Sequence, residues 1–357
     1  MQFIKPDINI NFIGVRKVAY IVSLAMLLIS VGSLILKGGP RYGIDFAGGT
    51  VIQVRFTSTV SLTAIKSALE ESGIANASVQ SFGDSSHHEY LVRTEPLDEM
   101  AEGYMDNLTQ NLARATGSEA EIRRVEMVGP QVGKDLREKA LFAIFYALLF
   151  ITVYISGRFE YKWTVSIVMA LALAGAFYLF RGAIVFFDFM DVEVPVMIVA
   201  ALIVSLILFW VLELKYAMGA IVALIHDVTI TVGIFSIADK EFSLPIIAAL
   251  LTIIGYSLND TIIVFDRIRE NQRKLLKEPM AFILNRSVNE TLSRTILTSG
   301  TTLVVLIALY VLGGDIIHDF AFALIIGVLV GTYSSIYVAS PILLIWTGNT
   351  KKRLKSR

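Results

Sequence analysis

Long apolar runs separated by short polar breaks dominate the chain, and eight of them reach the length a helix needs to cross a hydrocarbon core: residues 18–36, 139–156, 164–180, 194–212, 217–237, 244–266, 295–312 and 321–346. Between the first two runs the pattern changes. Residues 39–137 have the mixed polarity of a water-exposed domain, and their periodicity predicts strand (50–56), helix (62–72), strand (78–82), strand (90–93), helix (97–116) and strand (120–128). That βαββαβ order belongs to a ferredoxin-like split βαβ unit. Gly48 and Gly49 before the first strand, and Gly129 and Pro130 after the last, are expected to be hinges to the membrane. The expected fold is an α-helical polytopic membrane bundle of about eight spans carrying one α+β ferredoxin-like domain. Its expected divisions are 1–38 (N-terminus and first span), 39–137 (the domain), 138–350 (the bundle) and 351–357 (a basic tail).

Composition agrees with the membrane class: 55% of residues are hydrophobic, only 17% are charged, and mean hydropathy is +0.66. The net charge is zero, but the basic residues are clustered at Arg16 and Lys17, between Arg267 and Arg286, and in the terminal KKRLKSR. Positive residues mark the cytoplasmic side, so both termini and the 267–294 connection are expected there, which requires an even number of spans and places the 39–137 domain outside the cytoplasm. The first run follows Arg16 and Lys17 as a signal sequence would. It is succeeded by Lys37-Gly-Gly-Pro40 without a small-x-small cleavage pattern, so it reads as an uncleaved anchor. The remaining loops, around 188–193, 239–241 and 315–319, are short and mostly acidic. No cysteine is present, which excludes disulfides and thiolate metal sites.

Several chemistries can be set aside. The chain has no G-x-x-x-x-G-K-[ST] phosphate loop and no H-E-x-x-H, and its four histidines, His87, His88, His226 and His318, do not have metal-ligand spacing. No enzymatic activity, cofactor or metal is expected. His87 and His88 sit in a Ser-rich turn, and the sequons at Asn76, Asn107, Asn285 and Asn289 are short enough to arise by chance.

What remains is charge inside apolar runs, where ionisable groups are rare and usually line a pathway or pair with one another. Asp260 lies seven residues, about 10 Å at the helical rise, before the arginine that begins to close its run. Arg294 opens the next run. Aspartate has too short a stem to snorkel, whereas an arginine near a helix start can do so. A carboxylate in a low-dielectric setting favours its protonated form and a neighbouring guanidinium favours the charged one, so small movements of such a pair load and release a proton. Tyr256 and Asp260 share a helical face with Arg267, while Asn259 lies on a neighbouring one. Thr291, Thr298, Thr301 and Thr302 form a hydroxyl stripe beside Arg294, although threonines also bond back to their own helix carbonyls. His226 and Asp227 near the middle of the fifth run read either as a structural hydrogen-bonded pair or as a relay. Gly327, Gly331, Ser335 and Ala339, spaced by four, predict close packing against a tight neighbour in this chain or a partner.

The strings RYGIDFAGGT, VGPQVGKDL, RFE, ALIHD, IGYSLNDTIIVFDRIREN, SRTILTSGTT and SSIYVASP, in this order, resemble the SecF subunits of the bacterial protein-export translocase, in the SecD/SecF family. The resemblance covers nearly the whole chain. It implies a multi-pass inner-membrane protein with a periplasmic domain between spans one and two, a fold related to the RND transporters, and SecD as obligate partner. It also implies that the pair works at the SecYEG channel with other translocase subunits, using the proton gradient to promote preprotein movement and release. Asp260, in SLNDT, and Arg294, in SRT, match the family's proton-pathway residues, and a further aspartate is expected from SecD. The family usually has six spans, and here two more occupy about 164–212, between RFEYKW and KYAMGAIVALIHD. Aligning FEYKWTVSIVMALA with LELKYAMGAIVALI suggests a local duplication, and adding two spans preserves the downstream topology. Other functions compatible with charges in a membrane are a half-transporter of the RND type, exporting a small molecule or lipid, and a passive scaffold in which the polar residues only hold helices together.

Overall fold

The computed structural model describes residues 8–74, 77–83, 87–96, 103–187 and 194–346. Helix α1 (Arg16–Leu36) leads through a one-turn helix α2 (Ile44–Ala47) into a domain of β1 (Gly49–Phe56), α3 (Leu62–Glu71), β2 (Ser78–Phe82), β3 (Glu89–Thr94), α4 (Tyr104–Thr116) and β4 (Ala120–Val128). The bundle follows: α5 (Pro130–Glu160), α6 (Trp163–Phe187), α7 (Val194–Val211), α8 (Lys215–Ile237), α9 (Leu244–Lys274), α10 (Met280–Leu312) and α11 (Asp315–Ser334). The last helix passes through a π-helical turn, Ser335–Ala339, and remains helical to residue 346.

The sheet order is β2-β3-β1-β4 with every neighbour antiparallel, the topology expected of the split βαβ pattern. Alternation sets the faces: Ile52, Val54 and Phe56 on β1 and Tyr90 and Val92 on β3 point into a core closed by Ile65 and Leu69 of α3 and Leu108 and Leu112 of α4. Ser61 caps α3 by accepting from the Ala64 N–H at 3.2 Å, and left-handed glycines flank α4 at Gly103 and Gly117. The first six residues of the helix expected at 97–116, the sequon asparagine 76, the acidic loop at 188–193 and the basic tail at 351–357 lie outside the described residues.

The domain's two connections are not alike. Gly48 and Gly49 have φ +75° and +122°, and a Cβ on Gly49 would lie 2.8 Å from the Thr94 carbonyl oxygen. A Cβ on Gly48 would lie 3.0 Å from the Pro130 Cα, so the two connections cross in contact. Gly129 has ordinary extended backbone and open space where a Cβ would go. Gly49→Ala is therefore expected to destabilise the domain by about 1–3 kcal/mol, seen as faster proteolysis within it, while Gly129→Ala leaves the digestion rate unchanged.

Among the described residues, six helices are long and apolar enough to cross a membrane, α1, α5, α8, α9, α10 and 317–346. The other two runs expected from the sequence also form helices, α6 and α7, whose described apolar stretches cover Trp163–Ala176 and Ile198–Val211. This pair packs on α5 and α8, with Tyr146 of α5 hydrogen-bonded to Tyr178 of α6 at 2.6 Å and Lys162 closing onto the Leu212 carbonyl at 2.7 Å. The boundary expected at 137/138 falls inside α5, because Pro130 starts the helix and its first turns carry Lys134, Asp135, Arg137 and Glu138 before the apolar run.

The basic connection between the sixth and seventh runs is mostly helix, since α9 continues to Lys274 and α10 begins at Met280. Ion pairs one turn apart, Lys274 with Glu270 and Arg286 with Glu290, decorate these extensions. The sequon residues Asn285 and Asn289 play a structural part, because their side-chain oxygens accept from the Ile13 and Ile10 N–H groups at 3.1 and 2.8 Å and clamp the N-terminal segment onto α10.

Candidate functional site

Asp260 sits near the middle of α9, an unbroken helix whose apolar face packs against α8, α10 and α11. The side chain is fully buried. Ser299 of α10 donates to its Oδ2 at 3.5 Å, and Ser299 in turn exchanges a 2.7 Å hydrogen bond with Thr332 of α11. Among the described residues no donor reaches Oδ1, and the Tyr256 hydroxyl, one turn earlier, is likewise buried without a partner. Three helices thus meet at this carboxylate through hydroxyls that can rotate.

Arg294 does not pair with it. The contacts Asn271–Ser287 and Asp260–Ser299 set the register of antiparallel α9 and α10, which places Arg294, five residues before Ser299, about 7.5 Å along the axis from the level of Asp260. The guanidinium is exposed on the wall of a cavity of about 490 Å³ between α5, α9 and α10, on the side of the bundle that bears the basic α9–α10 connection. Asn259 lines the same cavity. Two other arginines there hold carboxylates, Arg158 with Asp266 at 2.7 Å and Arg267 with Glu270 at 2.8 Å. Of the three, only Arg294 has none within 4.0 Å among the described residues. Thr298 donates to the Arg294 carbonyl at 3.0 Å, and Thr301 and Thr302 bond back similarly, so the hydroxyl stripe serves its own helix.

A second buried carboxylate is fully engaged. Asp227 of α8 contacts the His226 ring Nδ1 through one oxygen at 2.9 Å and accepts from Ser257 of α9 and Ser334 of α11 through the other, at 2.6 and 2.8 Å. His226 lies over the Tyr333 ring, and no group among the described residues reaches its Nε2. The small-residue stripe of α11 makes this geometry possible, and its tight neighbours belong to this chain. A Cβ on Gly331 would fall 2.9 Å from that of Ser257, one on Gly327 would fall 2.2 Å from Ile253, and one on Gly219 of α8 would approach the Ala339 carbonyl to 3.0 Å. The residues not singled out from sequence are Ser257, Ser299, Thr332 and Ser334. Ser257 lay within reach, being three residues before Asp260 and hence on a neighbouring face of the same helix; the other three depend on how helices pack.

Comparison with known proteins places this arrangement. A model of the family "Protein export membrane protein SecD/SecF, C-terminal" matches residues 108–204 and 187–349, and one for the "SecD/SecF GG Motif" matches 33–60. The chain is 40% identical over 344 residues to the protein translocase subunit SecF of Vibrio alginolyticus, covering 96% of this chain and 91% of that one. The chain belongs to the SecD/SecF family. The SecF subunit of Magnetococcus marinus is also 40% identical, over 361 residues, with 99% and 97% of the two chains covered. The crystal structure of SecDF from Thermus thermophilus superposes with a TM-score of 0.73 at 33% identity over 97% of this chain, which spans 40% of the length of that protein. The GG-motif match includes Gly48 and Gly49, the pair whose backbone and crowding require glycine.

Proposed function

We propose that this chain is a proton-gradient-driven accessory subunit of protein export, acting with SecD at the SecYEG channel to promote preprotein translocation and release on the periplasmic side. The observation that carries the reading is Asp260: a buried carboxylate with one oxygen unserved among the described residues, about 7.5 Å along the helix from a guanidinium that has no carboxylate partner among them and opens to a cavity. An anion shut away from water is costly unless donors surround it, so loss or gain of its proton must change how α9, α10 and α11 sit. Protonation from the periplasmic side relaxes the pull on Ser299 and Thr332. Release toward the cavity restores the anion, for which Ser299 and a swung-in Arg294 are the available donors. The His226–Asp227 hub, with all three of its contacts made, serves as the fixed frame around this moving part. Arginine suits this role because its charge is constant: it does not lose its proton.

SecD is proposed as the partner because the Thermus relative carries a SecDF chain of which this chain spans 40%. A polar intramembrane face also supports a partner helix: Thr252, Gly255 and Asn259 on α9 and Arg294 and Thr301 on α10 are all exposed, a composition unsuited to lipid. The protein then lies in the inner membrane with both termini cytoplasmic and performs no catalysis. The test is preprotein translocation into SecYEG vesicles containing SecD and this chain, with and without an imposed proton gradient. The gradient is expected to stimulate translocation only when both subunits are present; equal stimulation in vesicles lacking this chain would reject the reading.

A further inference from the structure

A 31-residue helix carries Asp260, and its other end is tied to the α+β domain by a set of contacts that bypass the glycine connections. The α8–α9 loop, 239–244, lies alongside the segment that precedes β1. Phe242 donates its N–H to the Arg41 carbonyl at 2.7 Å and accepts from the Gly43 N–H at 2.9 Å, a short parallel bridge. Asp45 accepts from the Leu244 N–H at 2.8 Å, which caps α9 from outside because Ser243 provides no side-chain cap of its own. Phe46 packs on Phe242, and both join Ile246, Ile247 and Leu250 of α9 in one apolar cluster. Beyond this, Glu241 forms an ion pair with Arg93 near the end of β3, and Arg41 bridges Glu241 at 3.6 Å and Asp239 at 2.9 Å. Burial and the Arg41 charge pull the Arg93 guanidinium down to about 10, so it is still charged at neutral pH and needs its carboxylate.

We infer that loop 239–244 and residues 41–46 form a rigid strut through which α9 moves the domain, with Asp45 and Glu241 as its positioning residues. Asp260 lies 16 residues from Leu244, about 24 Å of continuous helix, so a displacement or rotation of α9 at the carboxylate arrives at the strut undiminished. There it meets the sheet directly, through Glu241 on Arg93, and also the root of β1 through Asp45. Gly48 and Gly49, pressed against Pro130 and Thr94, do not let this end swing freely; Gly129 has the room to do so. The strut gives the domain a driven edge and one loose connection. This inference rests on the proton-driven reading above.

The cysteine-free chain supplies a clean test. A Cβ on Gly43 would lie 3.6 Å from that of Ser243, within the ~3.5–4.5 Å that a disulfide spans, and Gly43 has negative φ. In vesicles with SecD and SecYEG, oxidised G43C/S243C is expected to keep full gradient-stimulated translocation, because the strut moves as a unit. D45A/E241A is expected to cut that stimulation at least fivefold while translocation without a gradient and assembly with SecD stay unchanged, and adding the oxidised G43C/S243C link is expected to restore it. Arrest by the oxidised link, relieved on reduction, would overturn the inference, as would full stimulation in D45A/E241A. Should D45A/E241A fail to assemble, the oxidised link alone still decides. Asp260→Asn run in parallel separates the two claims: if it keeps full stimulation the proton reading itself fails, whereas if it loses stimulation and the strut variants do not, only the strut is wrong.

Discussion

Gly331→Val is expected to prevent α9 and α11 from packing, leaving little monodisperse protein after detergent extraction. A Cβ at this position would lie 2.9 Å from the Ser257 Cβ, an atom fixed to the α9 backbone that no rotamer change can move. Relief therefore requires the two helices to separate. Overpacking of this kind costs about 1–3 kcal/mol through strain alone. The added loss is chemical: Ser257 and Ser334 both donate to the Asp227 carboxylate, and spreading α9 from α11 pulls the first hydroxyl off. Size-exclusion profiles after a heating series measure the effect. Gly32→Val on α1, where a Cβ meets nothing within 4 Å, is the matched control and is expected to behave as wild type.

Asp227→Leu should be the next most damaging change. The side chain is fully buried and serves donors from two other helices besides its own neighbour His226. Removing the carboxylate leaves two hydroxyls and an imidazole N–H without their acceptor, and a buried polar group left unsatisfied costs about 1–3 kcal/mol. Ser334 has a fallback in the Gly331 carbonyl at 3.1 Å, so the total should come to about 3 kcal/mol rather than the full sum. Asp227→Asn keeps an acceptor for the serines and should cost far less. Melting temperatures of the two variants in the same detergent give the comparison; equal melting would mean that the hub contributes little to holding α8, α9 and α11 together.

The domain was largely legible in the sequence because each of its signals is local. Alternating Ile52, Val54 and Phe56, the Ser61 cap and Gly117 after α4 set elements whose observed ends fall within a residue or two of the expected ones wherever both lie among the described residues. The burial of Asp260 was legible for a different reason, since an aspartate two turns inside an apolar run cannot reach water. Its relation to Arg294 was not. Which way an arginine turns depends on the register of α9 against α10, which Asn271, Ser287 and Ser299 set through contacts far apart in sequence. The serine donors of Asp227 escaped for the same reason, because serine on an apolar helix looks the same whether it bonds back or across. Glycine pairs announced a connection without saying whether it bends: Gly48 and Gly49 are glycines because the backbone is tight there, and Gly129 stands in open space.

The central claim is that gradient energy enters through Asp260, and Asp260→Asn tests it with almost no change in shape. The measurement is the ratio of preprotein translocation with and without an imposed proton gradient, in vesicles holding SecYEG, SecD and the variant. The account predicts that the variant assembles with SecD and translocates normally without a gradient, while the stimulation by the gradient disappears. Wild-type stimulation with asparagine at position 260 would contradict it.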